Sequence, residues 1–394
     1  MRILHIIGSI GPLSFGLGRA ALGLAGAQLK LGHKVEIWCT DSREVCDSEA
    51  VRSGIDARCI RAFRSYGPPV GAFSPSMLMA AASAGDSFDV VHQHGVYTAI
   101  SLVSLMLGRH RRVKRIVAPH GALEEKVMKK SALKKALALF LFERKNLEEA
   151  ACLHAVGSNE YTDFRKLRLK TPIAIIPNGI EDAWLDKKGD GACFREEIGI
   201  PSKDRILLFM SRITPKKGLL MLVEAWSRIH ADFSDWTVVI VGPDEGGHLA
   251  EVQSAAYAAG LSDRLVFAGP RYGDERWDAL ASADVFILPS ISEGFPMVVL
   301  EALSCAVPAV VTHASAWEEL VAHRCGWWVP ADTDAIQTAL VSAMRTNRVE
   351  LQKMGLNGFR LVKDKYRIES SAEKSISLYE WVCEDREAPS FVKL

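Results

Sequence analysis

The chain has 394 residues, a length that suits two or three domains. Its 48 basic and 47 acidic side chains nearly cancel, so no global field of the kind that draws nucleic acid exists, and the 48% hydrophobic content is enough for sizeable cores. No apolar stretch approaches the ~18 residues of a membrane span. The eight cysteines are scattered without a C-x-x-C pair and read as reduced thiols of a cytosolic protein.

Met1–Ile7 reads as a first strand; its apolar run is too short, and lacks the A-x-A-like exit, of a signal peptide. Gly8–Gly18 reads as a glycine-rich loop, Leu17–Leu31 as a helix stopped by Gly32, and HKVEIWCT (33–40) as the second strand. Strand, loop, helix and strand in that order are the start of a doubly wound fold. Gly16 and Gly18 would let backbone N–H groups approach a phosphate, or simply make a tight turn. As a dinucleotide fingerprint the loop fails, because no third glycine follows at the needed offset and no acidic residue ends the second strand. Residues 41–75 are polar with turn signals.

FDVVHQHG (88–95) is a strand that sets His92 and His94 on one face. No further ligand appears at metal-binding spacing, so no metal site is expected. RIVAPHG (115–121) brings His120 to a strand's carboxyl end beside Gly121, where parallel sheets gather ligands. Residues 124–145 read as one or two helices. In them LALFLF (137–142) reads as core, and the basic stretch Lys126–Lys135 as either a solvated face or a surface for anionic lipid. CLHAVGSNE (152–160) is a strand with a capping signal at Ser158, and TPIAIIPNGI (171–180) a strand leading into a turn. Residues 181–204 are polar and irregular, as a linker would be.

RILLFMSRIT (205–214) restarts the pattern, and PKKG (215–218) opens a helix to about His230. WTVVIVGPDEGG (236–247) and RLVFAG (264–269) are strands, with a helix between them ending at Gly260. ASADVFILPS (281–290) is a buried strand, followed by the turn Glu293-Gly294-Phe295-Pro296, a helix at about Met297–Cys305 and the strand VPAVVT (307–312). The pattern runs on to GWWVP (326–330); residues 331–363 look helical, and Ile368–Cys383 is amphipathic. The expected architecture is α/β: two Rossmann-like doubly wound domains facing a cleft.

Arg212 and Lys217 fall in one strand-end loop, where two cations suit a diphosphate; the plainer reading is a pair of surface basics at a helix start. Glu293 and Glu301 lie eight positions apart. They could accept hydrogen bonds from hydroxyls on different parts of one extended ligand, such as a sugar and a ribose. Equally, Glu293 could cap the helix and Glu301 be a solvated charge. The first N–H groups of that helix, Met297 and Val298, suit a phosphate. No acidic cluster for Mg²⁺ is evident, so the cations would do a metal's charge work.

With these residues the chain resembles glycosyltransferase family 4, the retaining enzymes of GT-B fold. The matching residues are Glu293-Gly-Phe-Pro…Glu301, Ser211-Arg212…Lys217-Gly218, Gly16-Leu-Gly18-Arg19, Pro119-His120-Gly121 and Pro177-Asn178-Gly179, which extend over nearly the whole chain. His94 and Trp327-Trp328 add a likeness to members that build surface polysaccharides, although the tryptophans could simply pack. Phe15-Gly16 departs from the commoner paired glycines. The resemblance implies an acceptor-binding domain at 1–180, a nucleotide-sugar domain at 181–367, and a final segment, 368–394, crossing back to the first. It implies that Arg212 and Lys217 bind the donor diphosphate with Met297 and Val298, that Glu301 holds the ribose and that Glu293, next to Gly294 and Phe295, holds the transferred sugar. His120 and His94 would serve the sugar or acceptor side, Gly16 and Gly18 the diphosphate, and the loop at Arg271 the base.

The expected activity is transfer of a hexose-type sugar from a nucleotide-diphosphate sugar to a glycan or lipid-linked acceptor, without a metal or other cofactor. The expected location is the cytoplasm, with peripheral contact to the inner face of the membrane, and no nucleic acid as partner. A hydrolysing nucleotide-sugar epimerase and a non-catalytic nucleotide-sugar-binding subunit share the fold and the phosphate-binding logic. An NAD oxidoreductase is disfavoured by the failed fingerprint.

Overall fold

The computed structural model describes residues 1–11, 14, 16–67, 73–109, 113–124, 127–128, 132–384 and 386–394. It divides into two compact units, Met1–Gly179 with Arg367–Leu394, and Ile180–Tyr366.

The first unit is built on β1 (Arg2–Ile7), β2 (Lys34–Cys39), β3 (Ile60–Ala62), β4 (Val90–His94), β5 (Lys114–Ala118), β6 (Cys152–Ala155) and β7 (Ile173–Ile175). All seven are parallel, and a short strand at Val392–Lys393 adds antiparallel to β7. Across the sheet the order is β7-β6-β5-β4-β1-β2-β3, so the chain reverses direction between β1 and β4. In a doubly wound sheet that switch point is where ligands bind, beyond the strands' carboxyl ends. Every residue of β4, and all of β1 but Arg2, is buried, as expected of strands covered on both faces.

The helix Gly16–Lys30 begins one residue before the sequence pattern indicates, which places Gly16 and Gly18 in its first turn and not in the loop. Gly18 has an ordinary backbone conformation. It is needed for close approach, because a Cβ there would lie 2.9 Å from the Ile10 carbonyl oxygen. Phe15 lies outside the described residues. The helix Ile368–Glu384 packs Ile368 and Ala372 against Leu24 and Ala27, while Tyr379 joins the apolar cluster of Ile3, Ala21 and Val90. The first part of the polar stretch 41–75 holds more order than its polarity suggests: Ser42 caps the helix Arg43–Ser53, and β3 follows.

The run at 137–142 overturns its reading as core: Leu137 is 57%, Phe140 85% and Leu141 63% exposed, as is Leu133 at 85%. The helix Ala132–Ala138 passes into a π-helical turn, Leu139–Glu143, and the inward positions go to polar groups. Glu143 accepts from the Ser101 hydroxyl at 2.8 Å and the Tyr97 N–H at 2.8 Å, and Asn146 bonds Gln93 and Arg115. An all-apolar run carries no periodicity, so the sequence could not say which side faces in. Of the basic stretch, Lys126, Lys129 and Lys130 lie outside the described residues; Lys134 is exposed, and Lys135 donates to the Val127 carbonyl.

The second unit carries β8 (Arg205–Met210), β9 (Trp236–Val241), β10 (Leu265–Gly269), β11 (Val285–Leu288), β12 (Ala309–Thr312) and β13 (Gly326–Val329). All are parallel in the order β10-β9-β8-β11-β12-β13, with the switch point between β8 and β11. Residues 181–204 are not a linker. They form the helices Asp182–Asp186 and Gly191–Glu197, whose Trp184 and Phe194 enter the core. Trp184 stacks on Trp277 at 3.8 Å, and Gly191 packs so tightly on Ala281 that a Cβ would collide with it. Residues 331–363 are two helices, Thr333–Arg345 and Arg348–Lys365, capped by Asp332 and Asn347. Trp327 and Trp328 stand in β13, their indole N–H groups donating to the Ser342 hydroxyl and the Ser315 carbonyl.

Candidate functional site

In the second unit the site forms where β8 and β11 end. The loop after β8 turns through a 3₁₀ turn, Pro215–Lys217, into Gly218, whose φ is +71°. A Cβ at Gly218 would collide with the Pro289 carbonyl oxygen just past β11, so only glycine lets the two loops cross here. The crossing is sealed by the Ile291 N–H donating to the Lys216 carbonyl at 2.8 Å. It sets the Lys217 ammonium on the Glu293 carboxylate, each side chain only 9% exposed. The Ser290 hydroxyl donates to Glu293 Oε1 at 2.5 Å, and Thr312 Oγ1 donates to the Ser290 carbonyl at 2.5 Å. Burial pushes the Lys217 ammonium below its ordinary value, and the adjoining Glu293 acts against that shift.

Glu293 is therefore not a helix cap. Pro296 holds that position for the helix Met297–Ser304, which has no side-chain cap, so the N–H groups of Met297 and Val298 have no partner within the helix. Gly294 is half-buried between Glu293 and Phe295, and the Phe295 ring packs on Trp317 and Tyr366 at 5.4 and 6.0 Å. Phe295 thus anchors the turn through its ring. Nor is Glu301 a solvated charge: it is 1% exposed and paired with Arg276, whose guanidinium lies 5.2 Å from the Trp184 ring centre. Arg212 pairs with Glu245 at 2.5 Å, and Arg271 with Glu197 at 2.6 Å. Of the residues singled out by sequence, the structure brings Lys217 and Glu293 into direct contact, and gives Arg212, Arg271 and Glu301 separate partners.

In the first unit the site lies at the ends of β1, β4, β5 and β6. His120 follows β5 with φ +53°, a conformation rare outside glycine, and Gly121 follows at +79°. The buried Glu160 holds this turn: its two carboxylate oxygens accept from the Gly121 N–H at 2.5 Å and the Val156 N–H at 2.8 Å. Burial pushes the Glu160 carboxyl up to about 7 against the pull of those two donors. His94 joins His120, Nδ1 to Nε2 at 3.0 Å, and joins His5, Nε2 to Nδ1 at 2.9 Å. Both of its ring nitrogens are thus taken, and His94 lines a neighbouring cavity. That small cavity is also lined by Ala20, Leu24, His120, His154 and Asn178.

His5 and His92 are direct neighbours across β1 and β4, and His154 lies 3.1 Å from His92. Burial pushes His5 and His154 down to about 4 and His120 to about 3; His92 and His94 also lie well below the usual imidazole value, through burial and the neighbouring rings. Ring nitrogens of His5, His92 and His94 come within 4.8 Å of one another. A metal held there would first have to displace hydrogen bonds that engage both nitrogens of each ring. Sequence reasoning did not find Arg276, Glu160, His5, Gln28, His154 or Tyr379. For the histidines a signal existed, since six of the eleven stand in a strand or just past its end. For the others none did.

Two family models match the chain: one described as "Glycosyl transferase 4-like domain" over residues 15–179, and one as "Glycosyl transferases group 1" over residues 192–361. The chain is 26% identical over 218 residues to the lipopolysaccharide core biosynthesis mannosyltransferase LpsB of Rhizobium meliloti, covering 54% of this chain and 62% of that one, less than two thirds of its length. It is 28% identical over 292 residues to the UDP-Gal:alpha-D-GlcNAc-diphosphoundecaprenol alpha-1,3-galactosyltransferase of Escherichia coli, covering 71% and 73%. The crystal structure of Anabaena HepE in complex with UDP and glucose matches with a TM-score of 0.77 at 17% identity, over 96% of this chain and 99% of that one.

Proposed function

The chain belongs to the glycosyltransferases of GT-B fold, and from that premise we propose that it moves a hexose-type sugar from a nucleotide-diphosphate sugar to a hydroxyl of a glycan or lipid-linked acceptor, with retention of configuration, in exopolysaccharide, capsule or lipopolysaccharide synthesis. The observation that carries this reading is the buried Lys217–Glu293 pair beside an uncapped helix N-terminus at a topological switch point. With no ligand, each member of the pair neutralises the other. A donor brings a diphosphate for Lys217 and sugar hydroxyls for Glu293, so both buried charges gain new partners together. An anion alone would leave the Glu293 carboxylate facing it.

Arg212 and the N–H groups of Met297 and Val298 add to the diphosphate's hold, Glu301 accepts from the ribose hydroxyls once Arg276 gives way, and the Arg271 loop flanks the base. His120 serves the sugar or acceptor. The acceptor hydroxyl attacks the anomeric carbon on the face from which the diphosphate departs. The bond to the diphosphate breaks as the new glycosidic bond forms, and the hydroxyl proton passes to the departing phosphate oxygen. Lys217 and Arg212 stabilise the charge that develops on the leaving group, which is the largest electrostatic demand of the reaction. The names of LpsB and the Escherichia coli galactosyltransferase support a polysaccharide or lipid-linked acceptor. The exposed Leu133, Leu137, Phe140 and Leu141 beside Lys134 support contact with an anionic membrane surface at that helix.

The test is nucleotide release from a panel of nucleotide sugars, with and without acceptor glycans. Glu293→Ala and Lys217→Ala should each lower turnover ~10²–10³-fold while the protein stays folded. Turnover should depend on acceptor and persist in EDTA. Near wild-type transfer in both variants refutes the site; epimerised sugar without acceptor selects the epimerase, and full loss in EDTA restored by Mn²⁺ assigns the charge work to a metal.

A further inference from the structure

The histidines of the first unit form one continuous hydrogen-bonded chain with a fixed direction. His154 Nε2 lies 2.7 Å from the Ile176 carbonyl oxygen, which can only accept, so Nε2 of His154 carries the proton. In a neutral ring Nδ1 is then an acceptor, and it faces His92 Nε2 at 3.1 Å. His92 Nε2 therefore donates, and its Nδ1 accepts from the Tyr379 hydroxyl at 2.6 Å. With its proton committed to His92, the Tyr379 oxygen accepts from the Gln28 amide NH₂ at 3.2 Å, which fixes the amide's orientation. Gln28 Oε1 then accepts from His5 Nε2 at 2.8 Å. His5 Nδ1 accepts from His94 Nε2 at 2.9 Å, and His94 Nδ1 accepts from His120 Nε2 at 3.0 Å.

We infer that this chain, from the Ile176 carbonyl through Tyr379 and Gln28 to His120, is a tautomer-setting relay that fixes His120 as the Nε2–H imidazole and leaves its Nδ1 as a bare hydrogen-bond acceptor. His154, His92, Tyr379, Gln28, His5 and His94 are positioning residues; among the described residues only His120 keeps a ring nitrogen for a ligand. Burial keeps every ring neutral, since among the described residues no carboxylate hydrogen-bonds to these rings and the charges beside them would be one another's. Among the described residues His120 makes no hydrogen bond at Nδ1, and the residue, not fully buried, lines the cavity. An acceptor there takes the hydrogen of a sugar or acceptor hydroxyl, and it refuses a carbonyl or phosphate oxygen, which brings no hydrogen. That consequence rests on the glycosyltransferase reading; the relay does not. Tyr379 sits 259 residues beyond His120 in sequence, so its effect on the site is invisible without the fold.

Long-range ¹⁵N–¹H correlation spectra of ¹⁵N-histidine-labelled protein at pH 7.5 test it, with His120 assigned by its absence in His120→Asn. The wild type should show His5, His92, His94, His120 and His154 all as Nε2–H tautomers. Tyr379→Phe frees the Gln28 amide to turn over, so His120 should split between the two tautomers. Gln28→Leu should do the same, because His5 Nε2 then has no acceptor. In transfer assays Tyr379→Phe should lower kcat about tenfold, the kcat loss exceeding any rise in donor KM, because removing an oriented hydrogen bond of this strength costs roughly a factor of ten. His120 found as Nδ1–H in the wild type overturns the relay, as does a single Nε2–H form in both Tyr379→Phe and Gln28→Leu. The spectra need no substrate: the expected tautomers in a protein that transfers no sugar would uphold the relay and sink the transferase reading. If Tyr379→Phe does not fold, the wild-type spectrum and Gln28→Leu still decide.

Discussion

Gly218 is the residue on which the second unit's site turns. Its left-handed φ costs an alanine roughly 1–2 kcal/mol, and its Cβ would also strike the Pro289 carbonyl. Gly260 has nearly the same φ, +70°, with open space around it. Gly260→Ala should thus lower the unfolding free energy by about 1 kcal/mol with activity kept, since only backbone strain is added. Gly218→Ala should cost about 2 kcal/mol more than that, because the loop of β8 must shift off β11. The same shift moves Lys217 away from Glu293, so transfer should fall with it. Chemical denaturation and nucleotide release on the two variants check this; equal losses in both would show that the loop crossing is not tight. Glu301 makes the opposite point about legibility. Its position was readable in the sequence, but its burial was not, because the partner that makes burial tolerable, Arg276, comes from another helix.

At the scale of elements, the helix across Ala132–Ala138 and its π-helical continuation reverse the usual arrangement. Polar Glu143 and Asn146 are buried, and four large apolar side chains are exposed. Together with Lys134, this face suits an anionic bilayer, each cation near the surface contributing ~1 kcal/mol. Sedimentation with anionic vesicles should show binding at low salt that weakens as salt rises, by screening within a Debye length. Leu137→Ser with Phe140→Ser should weaken it at every salt concentration, whereas Lys134→Gln with Lys135→Gln should flatten the salt dependence. Absence of binding at low salt would leave the acceptor to reach the enzyme from solution.

For the whole molecule, the buried histidines tie stability to pH. Each has a folded pKa below its unfolded value of about 6.5, so below that pH the unfolded chain binds the extra proton, and stability present at pH 7 is lost as pH falls. Glu160 and Glu143 are shifted upward and act in the other direction over the same range. The histidines outnumber them, so the unfolding free energy should drop by roughly 1–3 kcal/mol per pH unit between pH 6.5 and 5. Urea denaturation at pH 7.5, 6.5 and 5.5 measures this, and a flat or rising profile toward low pH would contradict burial of the neutral cluster.

The two parallel sheets, the short helix after Pro296 and the Lys217, Glu293 and His120 positions follow from sequence alone. Strand and helix periods, Pro and Gly punctuation, and polar residues at strand ends are local signals, written within about ten residues of where they act. The relay to His120, the Glu160 clamp and the Glu301–Arg276 pair are products of tertiary structure. Each joins residues from separate elements, in one case the first helix and the last, and hydrogen-bond direction and burial are properties of the assembled neighbours and not of any one segment. The same reason accounts for the errors at 137–142 and 181–204. Which apolar side chains become core depends on what the rest of the fold places against them, and two tryptophans meeting across 93 positions, or a buried Glu143, leave no mark on the sequence nearby.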